Sequence, residues 1–472
     1  MTSDSADAAI APAPPSDAAA RPRFSRAYRG WFMTVLLLVN ALNLADRQGM
    51  AITAPAIKHD LLLSDTQLGL LLGLGFAIFF SLLALPIARL AEHSNRTRIV
   101  AISVGVLGAM LALCGVARNF WQFLLFRIGV GVGDAGFGPP VASLVGDHYP
   151  MEKRASANSL IWLGAPIGAV AGSVIGGWIA QHMGWRTWFY VLGTPAVILA
   201  VIAYFTLREP PRGMSDVVRH EGPPPSILAV IKFLWAKKSV RQILIGAGLA
   251  ATALNALGQF FARFLVSTFH MGLAEAGWIL GMMAGASMAS GLALGGFGLD
   301  WAGKFDKRWY VWGPAITLAL SAPLFILGVA QTTVVATVIV LMIGHVTLFV
   351  FWTPTLAMSM NMVGANMRAS SAFVVNLVLG LVGIGLGPTL VGILSDRFAH
   401  MAFSLGDFGA ACPGGTAPDG ANAVLSQACA QASAAGVQHA IMAMSLLLAW
   451  AGLHYLLAAR DLERDLDTHY TA

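Results

Sequence analysis

Asp46 and Arg47 stand side by side inside the apolar stretch "LVNALNLADRQGMAI", residues 38–52, and Arg127 and Asp134 lie seven apart in "FRIGVGVGDAGFGPP", residues 126–140. Two acids and two bases in such surroundings suit one kind of chemistry. They can bind and release protons while exchanging ion-pair partners, because a neighbouring positive charge favours an ionised carboxylate and burial favours a neutral one. Arginine adds a second capacity, gripping an anionic group through paired N–H donors. The seven-residue spacing puts Arg127 and Asp134 on nearly one helix face. Gly129, Gly131, Gly133, Gly136 and Gly138 leave their surroundings bare enough for a neighbouring helix to come close.

Rival chemistries lack residues. "GVGDAG", Gly131 to Gly136, matches a dinucleotide-binding pattern, but no strand precedes it and it falls within an apolar helix. "GLDWAGKF", Gly298 to Phe305, has phosphate-loop spacing with Phe where a magnesium-binding hydroxyl belongs. No hydrolase elbow, zinc-binding helix or CxxC arrangement is present, so neither an enzyme nor a cofactor or metal site is expected.

The elements that must carry the charges follow from composition. Of 472 residues, 57% are hydrophobic and 11% charged, against about 25% charged in soluble domains. This is the make-up of an integral membrane protein, and without Asp46 and Arg47 the stretch 31–53 would read as an ordinary span of roughly 20 apolar residues. An ionisable group there costs roughly 2.5–3.5 kcal/mol on insertion scales, so it is expected to be paired and to face a cavity.

Apolar stretches predict twelve helices, near 31–53, 66–88, 98–117, 120–145, 157–180, 187–207, 241–268, 275–299, 309–329, 332–360, 369–395 and 437–459; the long fourth and tenth leave room for a bend. A Pro- and charge-rich interruption, Arg208 to Ser239, with an amphipathic piece near Ile227 to Trp235, splits them six and six. The expected organisation is an all-α membrane protein with a disordered cytoplasmic tail (1–29, without a cleavable signal), a six-helix bundle (30–207), a cytoplasmic linker (208–240), a second six-helix bundle (241–460) and a cytoplasmic tail (461–472).

With the N-terminus cytoplasmic, loops and tails on that side carry 22 of the 29 basic residues, and the other side only Lys58, Arg118, Arg186 and Arg397. That asymmetry predicts a multi-pass protein of the cytoplasmic membrane with both termini inside. The net charge of +6 is therefore a topology signal, and no nucleic-acid partner is expected.

The halves echo each other. "ARLAEHSNRTR", Ala88 to Arg98, follows the second stretch as "GGFGLDWAGKFDKR", Gly295 to Arg308, follows the eighth, and "VIGGWIAQHMG" and "TLVGILSDRFAH" close the fifth and eleventh. Such repeats mark transporters with a midplane site between related bundles. At 1.5 Å per residue Asp46 lies roughly 22 Å from the cytoplasmic start of its helix and Arg127 roughly 12 Å below the outer surface. In a core about 30 Å thick these levels overlap, so Asp46 or Arg47 can meet Arg127 or Asp134, either as a working charge cluster or as a locked structural salt bridge.

Further candidates for a substrate cavity are Asn43 and its echo Asn255, Gln259, Arg263 at the place a repeat of the first helix would put Arg47, His345, and the aromatics Trp162, Trp352 and Phe373. Arg263 can instead snorkel to the interface and His345 can be a packing residue. Gly164, Gly168, Gly172 and Gly176 repeat every four residues and predict a tight, slidable helix contact. Cys412 and Cys429 share one long loop on the expected outer side, where spacing leaves both a disulfide and two free thiols open.

The twelve helices in two halves, the basic turns after the second and eighth, the Arg127-x-Gly-x-Gly run and the glycine ladder resemble the major facilitator superfamily over 29–460. Within it, "LNLADRQ" and "RIGVGVGDAGFGPPVASLVGDHYPMEKRASANSLIWLGAPIGAVAGSVIGGWIA" resemble the spinster-like subgroup, whose animal members export sphingosine phosphate and lysophospholipids. The resemblance implies proton coupling and gating by Asp46, Arg47, Arg127 and Asp134, and gating by the turn residues Glu92, Arg96, Arg98 and Asp300. It departs from the subgroup in Asp134, where Glu is usual, and in Glu92-His93, where Asp-Arg is expected. The reading is a monomeric secondary transporter, coupled to protons, for an amphipathic or anionic organic solute or lipid; a non-transporting receptor or scaffold of the same fold is the rival.

Overall fold

The computed structural model describes residues 24–149, 151–211, 227–363 and 367–467. Most of the expected N-terminal tail and much of the expected linker lie outside the described residues. The long helices are α1 (Arg26–Asp60), α2 (Asp65–Ala91), α3 (Arg96–Cys114), α4 (Phe120–His148), α5 (Ser156–His182), α6 (Trp185–Thr206), α7 (Lys238–Phe269), α8 (Leu273–Ala302), α9 (Trp309–Val329), α10 (Val334–Asn361), α11 (Ser370–Ala402) and α12 (Ala423–Asp465). Eleven are long and apolar enough to cross a bilayer; α1 is the twelfth, made more polar by Asn40, Asn43, Asp46 and Arg47. A short helix, Ile227–Ala236, stands between α6 and α7.

Local chemistry sets several boundaries. Ser25 caps α1, accepting from the Tyr28 N–H at 3.1 Å, and α1 runs through Pro55 to Asp60, seven residues beyond its expected end. "SDTQ" starts α2 with a capping box, in which Ser64 accepts from the Gln67 N–H and Gln67 from the Ser64 N–H. The α12 helix begins fourteen residues before the expected 437, because "AVLSQACAQASAAG" is a good helix former that is too polar to read as membrane-spanning. The long fourth and tenth helices both break, α4 near Gly136 ahead of Pro139 and Pro140, and α10 between Phe349 and Trp352. In α8 and α11 the chain widens into π turns, at Leu294–Gly298 and Val378–Leu386.

The glycine ladder of α5 lies on α1. A Cβ at Gly164, Gly168 or Gly172 would stand 2.4, 2.0 or 2.4 Å from the carbonyl oxygens of Leu37, Ala41 and Ala45, so only bare backbone fits. This contact holds α1 in the register that presents Asp46 and Arg47 to α4.

One apolar core fills the second bundle, α7–α12, around Phe264, Phe325, Phe351 and Tyr455. Another lies in the first bundle and is shared with the second where Leu68, Leu72 and Ile57 meet Phe260, Val391 and Met444. That shared core lies at the end of the molecule away from the termini, called here the distal end. There α2 packs on α11 and α5 on α8 through glycine: a Cβ at Gly392 would sit 2.1 Å from the Asp65 carbonyl oxygen, and one at Gly277 2.3 Å from that of Ser173.

Candidate functional site

The four charges singled out above meet in the middle of the first bundle. Nη1 of Arg127 donates to both carboxylate oxygens of Asp46 at 2.9 Å each, with both side chains buried. Nη2 of Arg47 donates to Oδ2 of Asp134 at 2.5 Å; Asp134 is buried, and Arg47 keeps 23% of its side chain exposed. The adjacent residues Asp46 and Arg47 thus each pair with a partner of opposite sign on α4, two turns apart.

Aromatic faces complete the enclosure. Phe76 and Phe80, four apart on α2 and stacked at 5.5 Å, lie 4.9 and 5.4 Å from the Arg47 guanidinium, and Phe76 lies 5.6 Å from that of Arg127. The bare backbone of Gly131 against the Phe76 carbonyl, where a Cβ would come within 2.6 Å, lets α2 and α4 close around them.

The cavity here belongs to both bundles. Arg47, Met50, Leu72, Phe76 and Arg127 line it from the first, Asn255, Gln259 and Ile384 from the second. Ile384 comes from the π segment of α11. Three buried polar atoms of the lining residues have no hydrogen-bond partner among the described residues: Nε of Arg47, Nε of Arg127 and Oε1 of Gln259. The space as it stands suits about one water; were it to widen, a solute bringing oxygen acceptors to the guanidiniums and a donor to the amide would satisfy all three.

The remaining candidates are dispersed. Asn43 is buried on α1, and Asn255 donates to the Ala251 carbonyl at 2.9 Å while facing the cavity. Arg263 does not reach the cavity. Its Nε lies 2.7 Å from Oδ1 of Asp65, and its Nη2 donates to Ser433 Oγ at 2.7 Å. The repeat explains the discrepancy, because the register that pairs Asn43 with Asn255 pairs Arg47 with Gln259 and leaves Arg263 one turn further on. His345 is held by the Leu341 carbonyl through Nδ1 at 2.9 Å, edge-on to Phe325 at 4.7 Å, inside the second core. Trp162 is 61% exposed at the start of α5, and Trp352 and Phe373 are half-buried; none of them lines this cavity.

Of the gating candidates, the side chain of Glu92 lies outside the described residues. Arg96 is buried and donates to Asp147 at 2.5 Å, Glu209 at 2.6 Å and Ser143 at 2.7 Å, tying together the ends of α3, α4 and α6. Arg98 is exposed, 5.9 Å from the Tyr204 ring, and Asp300 accepts from the Tyr310 hydroxyl at 2.9 Å. These contacts stay within one bundle.

Contacts across the bundles occur instead at the distal end, in a cluster absent from the sequence-based candidates except for Arg263. Asp65, fully buried, takes Lys58 at 2.5 Å, Arg263, and the Ser395 hydroxyl at 2.7 Å. Asp396 of α11 accepts from the N–H groups of Asp65 and Thr66 at 2.9 and 2.7 Å, capping the first turn of α2 from the opposite bundle. Gln181 of α5 accepts from the Ala274 N–H of α8 at 2.8 Å. The signal for this latch was Asp65 inside its capping box, seven residues after a lone lysine; both read as loop edges. Cys412 and Cys429 are joined by a disulfide.

The family model described as Major Facilitator Superfamily matches residues 36–388. An MFS-type efflux pump of Mycolicibacterium smegmatis is 29% identical over 78% of this chain and 85% of its own length. Protein spinster homolog 1 of Mus musculus is 27% identical over 79% of this chain and 74% of its own. Among solved structures, a bacterial homologue of the human lysosomal transporter Spinster, in an inward-facing and unoccupied conformation, superposes with a TM-score of 0.85 at 29% identity, covering 94% of this chain and 99% of that one.

Proposed function

Because the chain belongs to the Major Facilitator Superfamily, a family of membrane transporters with spinster-like members among this chain's relatives, we propose that it moves an anionic or amphipathic organic solute or lipid by alternating access, driven by protons. The reading rests on one observation above the rest. A cavity shared by two bundles is lined by two guanidiniums whose carboxylate partners, Asp46 and Asp134, are both buried.

Each pair has two states. With the carboxylate ionised, its arginine is engaged and unavailable; with a proton on the carboxylate, the ion pair weakens and the guanidinium is released toward the cavity. An anionic head group can then take the carboxylate's place on the released arginine through charge-assisted bonds, while Phe76, Met50, Leu72 and Ile384 shelter an apolar portion. Carboxylate and solute thus compete for the same arginines, and a proton on the carboxylate tips that competition toward the solute, which couples the two movements.

The distal seal supports assignment of the structure to the state open toward the termini, as in the inward-facing relative. With the basic loops cytoplasmic, this is an inward-open monomer in the cytoplasmic membrane, its linker and both termini inside.

Flux in proteoliposomes tests the proposal. Asp46→Asn and Asp134→Asn are each expected to abolish uphill transport driven by a pH gradient while leaving solute exchange at equal pH. Intact gradient-driven transport in both variants would remove the coupling assignment. A receptor of the same fold would bind solute but show no exchange at all.

A further inference from the structure

The loop between α11 and α12 reaches across the distal mouth to the first bundle. Its disulfide joins Cys412 to Cys429 of α12, with Cα atoms 5.7 Å apart. Both cysteines are buried in a small apolar cluster with Phe403, Phe408 and Ala432, all within the second bundle. The bridge therefore links the two bundles nowhere covalently.

What it does hold is the loop tip, Pro413–Gly415. Gly414 and Gly415 take φ of +68° and +84°, a conformation that favours glycine, and lay their backbone on the end of α1. A Cβ at Gly414 would stand 3.2 Å from the Leu62 Cα, and one at Gly415 would stand 2.9 Å from Ser433 Oγ and 3.1 Å from Lys58 Nζ. Lys58 is the residue paired with Asp65, and Ser433 is the residue bonded by Arg263. The loop thus covers the latch from outside and keeps water from an ion pair whose members are each 2% exposed.

We propose that this disulfide-closed loop is a strap: it presses the Gly414–Gly415 backbone of the second bundle onto Lys58 of the first, and so sets how long the distal latch stays formed. Closing the loop removes most of its alternative conformations, which keeps the tip seated over Lys58. Opening the mouth requires Lys58 to leave the strap while Asp65 leaves Arg263, Ser395 and Asp396. The idea rests on the reading that the bundles alternate, but its measurement does not depend on solute flux.

Hydrogen exchange of the full chain in lipid nanodiscs tests it, reading the peptide covering residues 61–72, where the Asp65 and Thr66 amides are held by Asp396. Two variants loosen the strap independently: Cys412→Ser with Cys429→Ser opens the ring, and Gly415→Val lifts the tip with the disulfide intact. Both are expected to speed exchange at 61–72 roughly tenfold while residues 96–114 of α3 keep wild-type rates. Unchanged exchange at 61–72 in either variant overturns the proposal. So does equal acceleration through α3 and α7, which would mean general loosening rather than a released strap.

Discussion

Arg127 uses a single nitrogen to hold both oxygens of Asp46, and its Nε, buried, has no hydrogen-bond partner among the described residues. A pair so deeply enclosed is weak as a source of stability yet costly to break from one side. Arg127→Met is therefore expected to lower stability by about 3–5 kcal/mol, because it strands the Asp46 carboxylate. The double variant Arg127→Met with Asp46→Leu should regain most of that loss in thermal unfolding in detergent, yet remain unable to use a pH gradient. Single and double variants of equal stability would mean that the two side chains are not coupled. Helix depth put Asp46 and Arg127 at overlapping levels, so their meeting was legible from residue numbers alone. The choice of partners was not, because Asp46 and Arg47 are adjacent, and which one turns to Arg127 depends on the rotation of α1, set by the α5 glycines. Arg263 was misplaced for a comparable reason: one helical turn separates its register from that of Gln259, and four residues of displacement move a side chain from the cavity to the latch.

Glycines at helix contacts divide into two kinds, and substitution should tell them apart. Gly168 faces the Ala41 carbonyl within the first bundle, and a Cβ there would meet it at 2.0 Å; Gly168→Val should displace α1 and cost several kcal/mol in thermal unfolding. Gly392 faces the Asp65 carbonyl across the bundles at 2.1 Å. Gly392→Ala should leave the unfolding temperature within a few degrees of wild type and instead separate α2 from α11, seen as faster hydrogen exchange at residues 61–72; a matching collapse in both variants would erase the distinction. The period of four along α5 revealed which face is bare, but not that α1 is the neighbour, since any helix with an exposed backbone carbonyl row would fit. The π segment of α11 was illegible, because "VLGLVGIGL" carries no mark separating a widened turn from an ordinary one.

For the whole molecule, hydropathy made the helix count and the division into two bundles readable, because lipid leaves helices few ways to satisfy their backbone. Which mouth is shut was not readable: it turns on contacts between distant helices worth a small part of the folding energy. The charge asymmetry of the loops makes a direct expectation. In right-side-out vesicles, added protease should leave both termini and the 208–240 linker intact and reach them only after the membrane is permeabilised; cleavage in sealed vesicles would reverse the orientation. The seam between the bundles has a consequence for speed. Where peptide carbonyls rest on bare glycine, as at Gly392 and Gly277, the wall is smooth and the halves can part there without a rotamer having to escape from a neighbour's hollow. The grip of the shut mouth is then concentrated elsewhere, in the apolar side chains around Leu68 and Phe260, the ionic contacts of Asp65 and the loop that roofs them, a timer of a handful of residues on a body of twelve rods.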